Sequence, residues 1–113
     1  ASRVFGDKAY EDYAADQLNY LLGRNPVSYC YVTGYGSRTP EHPHHRPSEV
    51  LGKAMPGMLI GGANGNLEDP YAKAVLADVA PERCYVDNAQ SYSCNEVTIY
   101  WNSPLVYLLA NIK

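Results

Sequence analysis

The chain has 113 residues, of which 46% are hydrophobic and 19% charged, so its length allows one domain and its composition is that of a globular protein. Its formal net charge of −3 comes without a clustered basic stretch, which argues against a nucleic-acid partner. Because no apolar run approaches the roughly 18 residues of a membrane span and no basic-then-apolar leader begins the chain, we expect a soluble chain with no membrane partner, already processed or excised.

The first predicted element is an amphipathic helix between Asp7 and Leu22. Asp7 is a candidate cap for its first turn. Gly23 and the following Asn25-Pro26 predict that the helix ends near Gly23, because glycine tolerates a left-handed closing residue and proline cannot continue a helix. The apolar residues recur at steps of three and four positions, the spacing that places them on one helix face: Tyr10, Tyr13, Ala14, Leu18, Leu21 and Leu22.

The middle of the chain predicts irregular backbone. Residues 27–33 are rich in Tyr and Val and are compatible with a short strand, whereas the stretch from Gly34 to Pro70 carries many glycines and prolines. A loop of this length inside a compact chain is normally functional or is supported by structure elsewhere. It therefore counts against a self-contained domain. A short helix is expected from Tyr71 to Val79, closed by Pro81.

The last predicted element is a helix that begins at Ser93 and runs toward Ile112. Ser93 and Glu96 have the spacing of a capping box, in which each side chain bonds the backbone amide of the other residue. Pro104 predicts a kink or a break near Asn102 to Ser103. Apolar residues line much of the helix circumference, so we expect it to be buried on most sides: Val97, Tyr100, Trp101, Leu105, Leu108, Leu109 and Ile112.

These elements do not make a complete core. Two firm helices and one long loop cannot bury all of the apolar faces described above. The missing partners must then come from another chain or from another part of a longer parent protein. The sequence thus predicts a segment that is incomplete as a stand-alone domain.

The three cysteines, Cys30, Cys84 and Cys94, form no Cys-x-x-Cys pair, which argues against a zinc ribbon or a thioredoxin-type site. Cys84 and Cys94 flank a loop and could form a disulfide if the chain is extracellular. An odd number of cysteines leaves at least one thiol outside any internal disulfide.

Reactive side chains concentrate first in the loop from Arg38 to Arg46. With Glu41 and Glu49, the histidines of this loop are acceptable zinc ligands, but their spacing matches no helical or zinc-finger pattern. Proline-rich loops also often carry unliganded surface histidines. We rank a metal site below a surface role or a substrate contact, in which Arg46 and a neighbouring histidine hydrogen-bond a sugar hydroxyl or orient a carboxylate. The loop holds all the histidines of the chain within four positions: His42, His44 and His45.

Asp87 and Glu96 are the second group of candidates, because they bracket a run of hydroxyl- and amide-bearing residues. One carboxyl kept neutral by burial and one kept ionised would suit acid-base chemistry. Spacing alone favours a structural role, since Glu96 fits the capping box and Asp87 could close a turn. A helix start also favours the anion, so an acid role for Glu96 needs apolar cover from Trp101, Tyr92 or Tyr100.

Two longer patterns run through these residues. The first comprises the runs 20–26, 32–38 and 43–46, and the second is matched at its expected spacing by Tyr85, Asp87, Tyr92, Glu96, Thr98, Asn102 and Ser103. In both, the sequence resembles the C-terminal part of a glycoside hydrolase family 9 catalytic domain, a cellulase family built as an (α/α)6 toroid. Cys30 is the one departure, at a position where the family usually has a small hydroxyl or valine. The likeness covers nearly the whole chain, which we treat as one segment, 1–113.

The resemblance implies a role for each candidate residue. Glu96 would be the general acid that protonates the departing glycosidic oxygen, and Asp87 would shape and polarise its surroundings. His44 and Arg46 would contact the sugar at the cleavage point. Trp101 would lie close to that sugar, with core packing on the last helix as an equal alternative.

The resemblance also implies that one catalytic group is missing. The family inverts the anomeric centre, so a separate carboxylate must activate water from the opposite face, at roughly 6.5–9.5 Å from the acid. In the family this base comes from an aspartate pair near the start of the catalytic domain, and nothing before Arg24 resembles that motif. Asp7, Asp12 and Asp16 fit better as the solvated face of the first helix. We therefore expect the chain to be inactive alone.

Together, these expectations describe an all-α segment, the C-terminal helices and long loops of an (α/α)6 toroid, which carries the acid of an inverting β-1,4-glucanase. Its partners would be a β-1,4-glucan polysaccharide such as cellulose and the remainder of the catalytic domain, in a secreted enzyme. No cofactor is required, although structural calcium is possible in the parent domain. Two alternatives stay open: a non-catalytic carbohydrate-binding fragment with stacking aromatic faces, and a metal-binding module on the histidine loop.

Overall fold

The computed structural model describes residues 1–112, in which six α-helices and one 3₁₀ turn are joined by long irregular segments. Within that range no strand forms, so the all-α expectation is confirmed, and the possible strand at 27–33 is reduced to an isolated bridge between Val32 and Leu59. None of the helices described is long and apolar enough to cross a membrane. The helices are α1 (Ser2–Phe5), α2 (Ala9–Leu21), α3 (Arg46–Leu51), α4 (Pro70–Leu76), α5 (Tyr92–Asn95) and α6 (Ile99–Asn111), and the 3₁₀ turn is Pro81–Arg83.

The first predicted helix is present as α2. The Asp7 carboxylate accepts a hydrogen bond from the backbone N–H of Ala9, the first residue of the helix, at 2.8 Å, although the N-cap residue is Lys8, which makes no side-chain cap bond. Just beyond the helix end, Gly23 has a φ of 118°, a conformation that favours glycine. The short helix expected at 71–79 is present as α4, which begins one residue earlier, at Pro70, and ends at Leu76.

The last helix begins later than the capping-box spacing predicts. Glu96 lies in extended backbone (φ −62°, ψ 146°) directly after α5. α6 begins at Ile99, where the Thr98 hydroxyl accepts a hydrogen bond from an amide of the first turn. The Ser93 hydroxyl does not cap a helix, because it bonds the Asp69 carboxylate. The predicted capping box is therefore wrong, and Glu96 is not in the first turn of a helix.

Pro104 does not break α6. The helix continues through the proline to Asn111, since a single proline removes only one backbone hydrogen bond. The Asn102 side chain stabilises the turn before it, donating to the Thr98 carbonyl at 2.8 Å and accepting from the Leu59 N–H at 2.9 Å. Of the kink or break expected near Asn102 to Ser103, the break is therefore absent, and the kink stays a prediction.

The core is built largely from irregular segments rather than from helices. Tyr31 and Ile60 are each 2% exposed, and the Tyr31 ring lies edge-on to that of Tyr85, with 5.4 Å between the ring centroids. The glycine- and proline-rich stretch is thus ordered by the core that it helps to form. The buried hydrophobic residues are Cys30, Tyr31, Val32, Leu59, Ile60, Ala72, Leu76, Cys84, Tyr85, Cys94 and Leu105.

The apolar faces of α2 and α6 are largely uncovered by the rest of the described chain. On α6 only Leu105 is buried, whereas Ile99 is 84% and Tyr100 87% exposed. In α2 no described residue is fully buried. The expectation that the last helix is buried on most sides is therefore wrong for residues 1–112 by themselves. Exposed apolar faces of this size indicate surfaces that pack against another chain or another part of a longer protein.

The three cysteines are buried free thiols. Cys84 and Cys94 are neighbours, since the Cys94 thiol lies 3.5 Å from the Cys84 carbonyl oxygen, but no disulfide joins them. The Cys84 thiol is directed at carbonyl oxygens, among them that of Val79 at 3.2 Å. Burial raises the pKa of this thiol, which keeps it protonated and unreactive. The disulfide that the sequence allowed is therefore not formed.

Candidate active site

Asp87 joins the histidine loop to the segment that leads into α5. Its two carboxylate oxygens accept hydrogen bonds from the backbone N–H groups of Glu41 at 2.8 Å and His42 at 3.0 Å. Paired bonds to an ionised acceptor are strong and directional, so they fix both the position and the orientation of the loop. Through these bonds Asp87 sets where the histidine loop lies relative to α5.

His44 is the residue of this loop that lies beside Glu96. The two residues form a parallel β-bridge, and the His44 N–H donates to the Asn95 carbonyl at 2.8 Å. The His44 Nδ1 lies 2.6 Å from the Ala89 carbonyl oxygen, and its ring is edge-on to that of Tyr92 at 6.1 Å between centroids. Because a carbonyl oxygen can only accept, Nδ1 carries a proton, and Nε2 is the nitrogen left to meet a ligand.

The Glu96 side chain is exposed, while its backbone is held on both sides. Its N–H donates to the Tyr92 carbonyl at 3.1 Å, and its carbonyl accepts from the Gly61 N–H at 3.1 Å. Because Glu96 follows α5 rather than opening α6, the stabilisation of its anion by a helix start does not apply. Tyr92 and Tyr100 are exposed and the Trp101 ring packs on Gly61. The apolar cover that an acid role requires is thus not supplied by residues 1–112.

Arg46 is exposed as the first residue of α3. The preceding His45 has its Nδ1 2.9 Å from the Ser48 hydroxyl, which stabilises the start of this helix. His44 and Glu96 are also exposed. An open depression of about 320 Å³ lies beside the histidine loop, lined by Glu41, His42, Pro43, Ser48, Glu49, Gly52, Lys53 and Ala89, and His44 borders it through its bond to the Ala89 carbonyl.

Trp101 is half-buried and packs against the core from α6. A Cβ placed on Gly61 would come within 3.4 Å of the Trp101 ring, so the ring rests directly on the backbone whose N–H bonds Glu96. Core packing, the alternative role for this residue, is therefore present, and the sugar contact stays a prediction. The same face holds an apolar groove of about 310 Å³, lined by Leu21, Leu59, Ile60, Gly61, Trp101, Pro104, Leu105 and Leu108.

The three histidines do not converge. Two of them use Nδ1 for separate partners, His44 for the Ala89 carbonyl and His45 for the Ser48 hydroxyl. Among residues 1–112 no group of three or more His, Cys, Asp or Glu side chains is placed to hold a metal ion. The structure therefore gives no support to the metal-binding alternative on this loop.

Asn95 is a buried residue at the site that the sequence patterns did not single out. It is the last residue of α5 and is 0% exposed. Its Oδ1 accepts from the Tyr85 hydroxyl at 2.8 Å, and its Nδ2 donates to the Val86 carbonyl at 2.9 Å and the Asn88 carbonyl at 3.2 Å. Its Nδ2 also lies 3.4 Å from an Asp87 carboxylate oxygen. No local pattern marks such a residue, because all of these partners are brought to it by the fold.

Asp69 is a second buried residue outside the sequence-based set. One of its oxygens caps α4 by accepting from the Ala72 N–H at 2.6 Å, and the other accepts from the Ser91 hydroxyl at 2.8 Å and from both the N–H (3.1 Å) and the hydroxyl of Ser93. Burial alone would raise the pKa of Asp69, but these hydrogen bonds outweigh it and hold the pKa below its ordinary value. The Asp69-Pro70 pair is a helix-start signal that could have revealed the cap.

Comparison with known proteins gives one consistent result. The sequence model of Glycosyl hydrolase family 9 matches residues 1–109. The cellodextrinase of Butyrivibrio fibrisolvens is 43% identical over an alignment of 115 positions, which covers 99% of this chain and 21% of that protein. A single mutant of a thermostable endoglucanase from Alicyclobacillus acidocaldarius superposes with a TM-score of 0.90 at 44% identity, over 94% of this chain and 20% of that one. AaCel9A in complex with cellobiose-like isofagomine superposes with a TM-score of 0.77 at 49% identity, over 80% and 18% of the two chains.

The chain thus spans about a fifth of the length of these relatives. The structures that it superposes on are (α/α)6 enzymes, so its helices and irregular segments are those of one part of that fold, as expected. The sequence match and the structural matches each cover most of the chain and agree on one family. The chain belongs to glycosyl hydrolase family 9.

Proposed function

We propose that this chain is the acid-bearing segment of an inverting glycoside hydrolase that cleaves β-1,4-glucosidic bonds in cellulose or related glucans. The observation that carries the proposal is the bridge between His44 and Glu96, which are 52 positions apart and lie side by side with Asp87 holding the histidine loop. Family membership supports glycoside hydrolysis, and the AaCel9A complex with a cellobiose-like compound supports a β-glucan substrate.

In this proposal Glu96 is the general acid. Its carboxyl proton passes to the glycosidic oxygen as the bond between that oxygen and the anomeric carbon breaks. A water molecule attacks the anomeric carbon from the opposite face and gives its proton to a carboxylate base, at roughly 6.5–9.5 Å from the acid. Proton transfer between carboxyl groups and water needs no cofactor, so the proposed reaction uses none. Structural calcium stays an expectation for a complete domain.

The other candidate residues position the sugar and the loop. Nε2 of His44 and the guanidinium of Arg46 would hydrogen-bond sugar hydroxyls at the cleavage point, since both residues are exposed, His44 is bridged to Glu96, and Arg46 follows two positions later. Asp87 would keep the histidine loop in register through its bonds to two backbone amides. Trp101 would place its ring edge near the same sugar while the rest of the ring packs on Gly61.

The remainder of the catalytic domain is the second proposed partner. The carboxylates of Asp7, Asp12 and Asp16 are exposed, and Asp12 pairs with Lys8 at 2.5 Å, which suits a solvated helix face better than a catalytic base. The uncovered faces of α2 and α6 and the missing apolar cover over Glu96 support the same idea. We infer that the chain has no glucanase activity alone, and that the complete enzyme works outside the cell, where its polymeric substrate lies.

The experiment that tests the acid role is Glu96→Gln in a complete catalytic domain carrying this segment. Cleavage of an unactivated glucan should be lost, because the leaving sugar then receives no proton, while a dinitrophenyl β-cellobioside, whose leaving group needs none, should still be cleaved. Glu82→Gln is the matched control, since Glu82 is an exposed glutamate on the 3₁₀ turn, and it should behave as wild type on both substrates. Equal loss on both substrates for Glu96→Gln would contradict the acid role.

A further inference from the structure

We propose that Asn95 is a positioning residue for Glu96, an inference that rests on the function proposed above. Asn95 directly precedes Glu96 and is completely buried, so it cannot itself touch a glucan. It takes no part in proton transfer. Its proposed role is to fix the place at which the backbone presents the Glu96 side chain.

Two other segments of the chain meet at Asn95. Its side chain bonds three groups of the segment before α5: the Tyr85 hydroxyl, the Val86 carbonyl and the Asn88 carbonyl. Its backbone carbonyl accepts from the His44 N–H at 2.8 Å. The histidine loop and the Asp87 segment are therefore both tied to the residue next to Glu96.

The position of the Glu96 side chain depends on the end of α5. Its side chain is exposed, so its direction depends on the backbone that carries it. That backbone leaves a helix of only four residues, Tyr92–Asn95, too short to be rigid by itself. The backbone bonds of Glu96 to Tyr92 and Gly61 hold it locally, and the buried hydrogen bonds of Asn95 add the connection that resists rotation of the helix end relative to His44 and Asp87.

The rate of catalysis is sensitive to such a rotation. A displacement of about 1 Å in a reacting group can cost on the order of 10²-fold in rate. Because Asn95 acts on the acid and not on the base, its loss should matter most for substrates that need the acid. Asn95→Ala should therefore lower kcat on an unactivated glucan by about 10²-fold with little change in KM, and lower kcat on dinitrophenyl β-cellobioside only a few-fold.

Two further variants separate positioning from a loss of folding. Tyr85→Phe removes only one partner of Asn95, the hydroxyl at 2.8 Å, and should give a smaller loss with the same substrate selectivity. Asn25→Ala is the matched control. The Asn25 side chain also bonds backbone groups, those of Tyr20, Val27 and Tyr29, but none of the site residues. It should lower both activities equally, in proportion to the folded fraction.

The measurements are kcat and KM on both substrates in the complete catalytic domain, with the folded fraction determined by circular dichroism. A selective loss in Asn95→Ala, or in Tyr85→Phe if Asn95→Ala does not fold, supports the inference. Equal losses on the two substrates in Asn95→Ala, or no loss in folded Asn95→Ala, overturn the positioning role. The proposed function still stands in that case if Glu96→Gln shows a selective loss. If Glu96→Gln is itself unselective, the proposed function fails and the positioning role fails with it.

Discussion

Removal of the Asp69 carboxylate is expected to destabilise the segment that carries Glu96. Asp69 is 0% exposed and links α4 to the start of α5 by accepting hydrogen bonds from Ala72, Ser91 and Ser93. Asp69→Ala leaves those donors without their acceptor, and Ala72 and Ser91 are both completely buried. The variant therefore removes both a helix cap and a connection between two parts of the core.

The size of the effect follows from these contacts. A capping aspartate contributes about 1 kcal/mol, and a buried hydrogen bond to a charged group contributes about 1.5–3 kcal/mol. The Ser91 and Ser93 donors share one carboxylate oxygen, so their contributions do not add in full. We expect Asp69→Ala to lower the free energy of unfolding by about 3–4 kcal/mol.

The same contacts predict how Asp69 contributes at different pH. Its pKa in the folded protein is below the ordinary value of 3.8, so folding favours the ionised carboxylate. The stabilisation is fully present above the unfolded pKa and is lost as the pH falls through the lower, folded pKa. The difference in unfolding free energy between wild type and Asp69→Asn should therefore be constant from neutral pH down to about 4 and shrink below it.

The assay is urea denaturation of the complete catalytic domain, followed by circular dichroism at several pH values. Asp78→Ala is the matched control, because Asp78 is an exposed aspartate just beyond α4, and it should change the unfolding free energy by less than about 0.5 kcal/mol. If Asp69→Ala costs no more than this control, the buried network does not stabilise the protein, and the reasoning from its hydrogen bonds is refuted.

Two further outcomes are expected. The purified chain by itself should release no reducing sugar from a β-1,4-glucan above background, since the proposed function places the base in another part of the catalytic domain; hydrolysis that disappears in Glu96→Gln would contradict this. Asp87→Ala should lower glucan cleavage by about 10²-fold and speed hydrogen exchange at the Glu41 and His42 amides, which lose their acceptor; unchanged exchange would show that other contacts hold the histidine loop.

Local chemistry was enough to predict several elements. The three- and four-residue spacing of apolar side chains placed α2 within a residue or two of its actual ends, with Asp7 bonding the first turn. The signature residues, read as a resemblance, identified the family that the comparisons confirm. The helix depends on neighbours in sequence and the family on a pattern matched along the chain, so no knowledge of the tertiary structure was needed to find either.

Competition between partners explains where the sequence-based predictions were wrong. Ser93 has the right spacing to cap a helix with Glu96, but its hydroxyl bonds Asp69, 24 positions away. Val97 instead pairs with Ile60 in extended backbone, which delays the start of α6 to Ile99. A spacing rule cannot weigh a local bond against a partner that only the folded chain brings near.

The sequence by itself therefore determined the helical class, the position of α2, the family and the candidate residues. Each of these depends either on neighbouring residues or on a long pattern matched along the chain. The tertiary structure alone decided that His44 and Glu96 are neighbours, that Asp87 holds the histidine loop, and that Asn95 and Asp69 are buried beneath the site. The His44–Glu96 bridge and the Asp87 bonds to the histidine loop join residues 45 to 52 positions apart, and the Asn95 side chain bonds partners 7 to 10 positions before it. Only the closing of irregular segments around a shared core brings such residues within hydrogen-bond distance.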